Sequence, residues 1–194
     1  MKPLLVRVAV AVVATASLVL GGTSSASAST HTGPNWSWSG PASWDASYGT
    51  YGITVLGDQG ATLDLGFSST LCASGATWEK SVDRYFKGLR QSLKRSGWDL
   101  TAGRITHPRG YSPTYRRQVL EGTFSKRGLR RGQIVLDYDF TTNVDGLNYC
   151  YQRSLAKYAK ARSWNSMKRT LNQVQNSLAY SGPGAPGGQD PADF

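Results

Sequence analysis

The sequence predicts an α+β domain, an antiparallel β-sheet of about six strands packed with two α-helices. Three observations predict it. Two stretches place apolar residues at steps of three and four, the period of a helix with one buried face. The segments around and between them alternate apolar and polar residues and are broken by Gly, Pro, Asn and Asp, the pattern of strands joined by turns. Of the 194 residues, the 166 that follow an N-terminal leader fit one domain with one sizeable core.

The leader is the first element. "MKPLLVRVAVAVVATASLVLGGTSSASAST" opens with Lys2, continues as an apolar stretch interrupted by Arg7, and ends in small residues. Ala26-Ser27-Ala28 has the small-x-small pattern of signal-peptidase cleavage, so residues 1–28 are expected to be a signal peptide and the protein to be secreted. The apolar run after Arg7 is short for a membrane span, and no later stretch is long enough for one.

Residues 29–47 are rich in Trp, Ser, Gly and Pro; Trp36, Trp38 and Trp44 are expected to lie against the domain, and His31 to be mobile. The domain proper is expected over 48–180. "TYGITVLG" and "ATLDLGFS" flank "GDQG" as a hairpin. A helix follows, with Thr77 as its cap, Glu79 in its first turn and Gly97 as its stop. Trp78, Val82, Phe86, Leu89 and Leu93 form its apolar stripe, and Lys80, Arg84, Lys87, Gln91 and Lys94 follow the same steps on another face. "WDLTAGRITHP" reads as one strand; "TYRRQVLEGTFS", "GQIVLDYDF" and "LNYCYQRSLAKYA" read as three consecutive antiparallel strands. In the middle one, Ile134, Leu136, Tyr138 and Phe140 share one face, and Val135, Asp137 and Asp139 the other. The second helix, capped by Ser163, carries Trp164, Met167, Leu171, Val174 and Leu178 at steps of three and four. Residues 181–194, "SGPGAPGGQDPADF", have almost nothing to bury and are expected to be a disordered tail.

The order of these elements resembles the PsbP-like superfamily, which includes the extrinsic protein of the oxygen-evolving complex, a Ran-binding nuclear import factor and exported bacterial proteins. The resemblance covers roughly Trp44 to Tyr180 and is most telling in "GQIVLDYDF…GLNYCYQRSLAKYAKARSWNSMKRTLNQVQNSLAY", where a strand, a Tyr-bearing strand and a Trp-started helix succeed one another. It implies a PsbP-like fold and a protein that binds partners or supports assemblies, with no common catalytic site to carry over.

The cysteines are two, Cys72 and Cys150, and in an oxidising compartment they are expected to form one disulfide. Basic residues number 22 against 12 acidic ones, a formal charge of +10. The excess concentrates between Lys80 and Arg131 and favours an anionic partner: an envelope polymer, a lipid surface or an acidic protein. Nucleic acid is not the partner expected for an exported protein. The candidate binding residues are Lys126, Arg127, Arg130 and Arg131, in a hairpin tip with Gly128 and Gly132, and the helix row Lys80, Arg84, Lys87 and Lys94.

Signals for catalysis are weak. His107 lacks a nucleophile elbow beside it, and neither a His-x-x-x-His nor a Cys-x-x-Cys pair occurs, so no metal or other cofactor is expected. Asp137 and Asp139 stand about 7 Å apart along one strand, within the range of paired glycosidase carboxylates. Arg116, Arg117 and Gln118 in the preceding strand and Arg153 in the next make cross-strand ion pairing the preferred reading. The expected function is a non-enzymatic binding or accessory module with a basic surface; the alternative is a secreted hydrolase using Asp137, Asp139, Glu121 or His107.

Overall fold

The structure, a computed structural model, describes residues 28–72, 77–101, 103–125, 128–142 and 146–182. Residues 1–27 of the expected signal peptide, Lys126, Arg127 and residues 183–194 of the expected tail lie outside the described residues. The strands are β1 (Ala28–Gly33), β2 (Trp36–Pro41), β3 (Asp45–Gly49), β4 (Gly52–Leu56) and β5 (Thr62–Leu71); then, after α1 (Trp78–Ser96), β6 (Trp98–Thr101), β7 (Ile105–Thr106), β8 (Arg116–Phe124), β9 (Arg130–Thr142) and β10 (Asn148–Lys160); and, after α2 (Trp164–Ser177), β11 (Ala179–Tyr180). All strand pairings are antiparallel. The main sheet has eight strands in the order β3-β4-β5-β10-β9-β8-β6, with β7 also on β8, and a small sheet is ordered β1-β2-β11.

The α+β class with two helices and antiparallel sheets is as expected; the strands exceed the six expected. Three features account for the excess, one of them the two-residue strand β11, which pairs with β2. The Ser- and Gly-rich stretch from Ala28 to Gly49 forms three strands, β1 to β3, whose alternation is masked by small residues. "WDLTAGRITHP" does not form one strand: β6 and β7 pair separately with β8, with Gly103 between them packed against the Val119 backbone, where any Cβ would clash.

Two apolar cores lie on opposite faces of the main sheet. On one face Val82 and Phe86 of α1 meet Leu120, Ile134, Leu136 and Tyr138, with Trp78, Leu89, Leu93, Trp98 and Phe140 around them. On the other, α2 and the small sheet bring Trp164, Leu171, Val174, Trp36 and Trp38 onto Ile53, Val55, Leu63, Leu65, Val135 and Leu155. The central strand β9 therefore feeds both cores, and residues 134–139 are buried without interruption. Trp36, Trp38 and Trp44 are buried, and His31 stacks on Trp38 at 3.8 Å between ring centroids in β1, so its expected mobility is not what the structure shows.

The helix ends follow their sequence signals in part. Gly97 takes a left-handed conformation (φ 101°) and its N–H closes on the Leu93 and Lys94 carbonyls. Thr77 and Ser163 occupy the N-cap positions but make no side-chain capping bond. Cys72 and Cys150 form the expected disulfide, Cα to Cα 5.4 Å, joining the end of β5 to the start of β10.

Candidate functional site

The antiparallel register sets three charged side chains in one row across the sheet: Arg153 of β10, Asp137 of β9 and Arg117 of β8. Asp137 is 0 % exposed. Arg153 donates from Nε (2.8 Å) and Nη2 (2.7 Å) to Oδ2, and Arg117 donates from Nε to Oδ1 at 2.6 Å. The Tyr115 hydroxyl donates to the same Oδ1 at 2.5 Å and accepts from Arg117 Nη2 at 2.8 Å. Burial, and then the Asp137 charge, push the Tyr115 phenol well above its ordinary range, so it stays a donor. Two strand positions on, Asp139 is 2 % exposed and accepts on Oδ1 from Ser112 (2.7 Å), Thr114 (2.6 Å) and the Phe140 N–H (2.8 Å). Together the two carboxylates fasten residues 112–115 to the sheet.

The preferred ion-pair reading of Asp137 thus has its partners in Arg117 and Arg153, with two corrections. Arg116 pairs in register with Tyr138 on the opposite face, where its guanidinium lies 4.5 Å over the Trp78 ring. Gln118 is buried and donates to the Gly103 carbonyl at 2.6 Å. The other residues considered for hydrolysis do not converge on these two. Glu121 is four residues from the Asp137 row, about 13 Å along the strand, and pairs with Lys168 at 3.3 Å. His107 is exposed and donates from Nε2 to the Ser112 carbonyl at 2.8 Å. Asp137, buried with both oxygens engaged, has neither the access nor the free lone pair that proton transfer to a substrate needs, and Asp139 is buried beside it. No group of three His, Cys, Asp or Glu able to hold a metal occurs among the described residues.

The basic residues lie outside. Lys80, Arg84, Lys87 and Lys94 are exposed on α1, and among the described residues no ion pair engages them. The first and the last are fourteen helical steps apart, about 21 Å. Gly97 then leads into Trp98, which pairs with Phe124 at the foot of the β8–β9 hairpin. A shallow depression of about 180 Å³ at this corner is lined by Arg90, Lys94, Trp98, Asp99, Leu100, Thr101 and Leu120.

The hairpin is a turn between strands, as expected, and Gly128 supplies its positive φ (82°). Arg130 and Arg131 belong to β9 rather than to the tip. Arg130 stands opposite Lys160 of β10 and reaches over the Tyr158 ring, 5.5 Å from its centroid. The Ala161 N–H donates to the Leu129 carbonyl at 3.0 Å, which binds the β10–α2 connection, with exposed Arg162, to the same end. Lys160 and Arg162 were not legible as members of this group, because thirty residues of chain and a strand register intervene.

A scan against protein-family models finds no match, and a search of the curated proteins finds none. Among solved structures, the chain is similar to LpqN of Mycobacterium tuberculosis, involved in cell envelope biogenesis, at 14 % identity and a TM-score of 0.44 over 79 % of this chain and 90 % of that one. It is also similar to the cyanobacterial PsbP (CyanoP) of Synechocystis, at 12 % identity and a TM-score of 0.41 over 84 % and 98 % of the two chains. The likeness is one of layout. Among the described residues no helix is long and apolar enough to cross a membrane.

Proposed function

We propose that the chain is an exported, non-enzymatic binding or accessory module that meets an anionic envelope polymer, lipid surface or acidic protein through its basic residues. One observation carries this reading: Lys80, Arg84, Lys87 and Lys94 run in line along an exposed face of α1, and among the described residues no ion pair engages them, whereas Asp137 and Asp139 are buried inside the fold. A row of like charges about 21 Å long suits an extended or planar anionic partner better than a small ligand. The Cys72–Cys150 bridge and the leader-like residues 1–28 support export to an oxidising compartment.

The test is co-sedimentation with envelope material over a salt series, beside a variant with Lys80, Arg84, Lys87 and Lys94 changed to Ser. Binding that falls with salt and is weakened in the variant is the expected result. Adsorption indifferent to salt and to all four substitutions would sink the electrostatic reading.

A further inference from the structure

We propose that the end of the main sheet carrying Leu129 is a docking tip for an anionic lipid surface, a commitment that rests on the binding role proposed above. Leu129 is 61 % exposed, the most exposed large apolar side chain among the described residues. Basic residues from two separate parts of the chain meet at this end: Arg130 and Arg131, which follow Leu129 in β9, and Lys160, the cross-strand partner of Arg130, with Arg162 in the connection whose Ala161 N–H donates to the Leu129 carbonyl. The acids near this end are Asp58, which accepts from the Ser43 hydroxyl, and Asp99 at the start of β6.

Two features point to a bilayer rather than to a soluble polyanion. The first is the leucine. Charge alone suffices to hold a polymer, but a bilayer offers an anionic layer and, within about 5–10 Å beneath it, an apolar one. A leucine projecting among cations fits that order of layers. The second is the register. Arg130 and Lys160 are direct cross-strand partners, and like charges so placed oppose the pairing. Arg130 is drawn over the Tyr158 ring, and Lys160 stays exposed. A layer of headgroup phosphates supplies both with counter-charge at once.

The experiment is sedimentation of the protein with phosphatidylcholine vesicles containing phosphatidylglycerol, with phosphatidylcholine vesicles alone, and with soluble polyphosphate as the polymer probe. Binding to the phosphatidylglycerol vesicles is expected, with little to the neutral ones. Leu129→Ser should weaken vesicle binding by about tenfold, from the lost burial of one aliphatic side chain, and leave polyphosphate binding unchanged. Arg130→Ser with Arg131→Ser should weaken vesicle binding by roughly 25-fold, at about fivefold per cation near the surface. Leu129→Trp should strengthen it and show blue-shifted emission on vesicle addition. An unchanged melting temperature in each variant confirms that the exposed position was altered without unfolding.

Vesicle binding that ignores both Leu129 substitutions overturns the docking tip. Polyphosphate binding without any vesicle binding also overturns it, yet leaves the basic binding role standing. Absence of both overturns the two together.

Discussion

Arg153 meets Asp137 side-on, with Nε at 2.8 Å and Nη2 at 2.7 Å from the same carboxylate oxygen, directly across the β9–β10 ladder. Arg117 closes on the other oxygen from β8, so two guanidiniums share one buried carboxylate. Asp137→Asn leaves Arg153 without its counter-charge in the sheet interior. The loss should be about 3–5 kcal/mol, read as a lower urea midpoint. The double variant Asp137→Leu, Arg153→Met should recover much of it; a double variant no better than the single would mean that the charges themselves are not what matters.

Lys157 is 4 % exposed and donates at 2.7 Å to two neutral acceptors, Asn172 Oδ1 and Gln175 Oε1. Burial, and then the charge of Lys168, lower its pKa from 10.5 to about 8. A lysine that titrates lower folded than unfolded opposes folding while charged. Its penalty is therefore full below pH 8 and is relieved as the pH rises from 8 to 10.5. Lys157→Met should raise the melting temperature at pH 7 and flatten the difference between pH 7 and pH 10. A parent protein with no relative gain over that range would contradict the assignment.

Tyrosine ionisation gives the opposite sign. Burial first, and the Asp137 charge second, push the phenols of Tyr85 and Tyr115 far above the ordinary value of 10.0. Their contribution to stability is complete below pH 10 and is lost as the pH climbs beyond it. Of the ten tyrosines, these two should remain protonated in an ultraviolet titration until the fold gives way. Tyr115→Phe should remove one of them and loosen residues 112–115, seen as faster amide exchange at positions 114 and 115.

Cys72 and Cys150 close a loop spanning 78 positions. By the chain-entropy account such a bridge is worth about 4–5 kcal/mol. Reduction, or Cys72→Ser with Cys150→Ser, should lower the urea midpoint accordingly and reach both cores, because the bridge joins β5, which packs under α2, to β10, which lies between the two faces. A reduced protein as stable as the oxidised one would show that the bridge adds nothing to the fold.

In the sequence by itself, local periodicity encodes the two helices and their apolar stripes, the β8–β9 hairpin and the shared face of Asp137 and Asp139, while the count of two cysteines was enough for their pairing. Periodicity missed β1 to β3, where small residues blur the alternation, though the spacing of Trp36 and Trp38 was a signal that was present. Register was decided by tertiary structure. A shift of one residue between β8 and β9 would exchange Arg116 for Arg117 beside Asp137, and nothing in either strand alone selects between them. The same holds for the meeting of Arg130 with Lys160, and for the end of α1 arriving beside the hairpin foot. Side-chain type and spacing are properties of one segment, whereas which charge faces which follows from packing two segments that lie far apart in the chain.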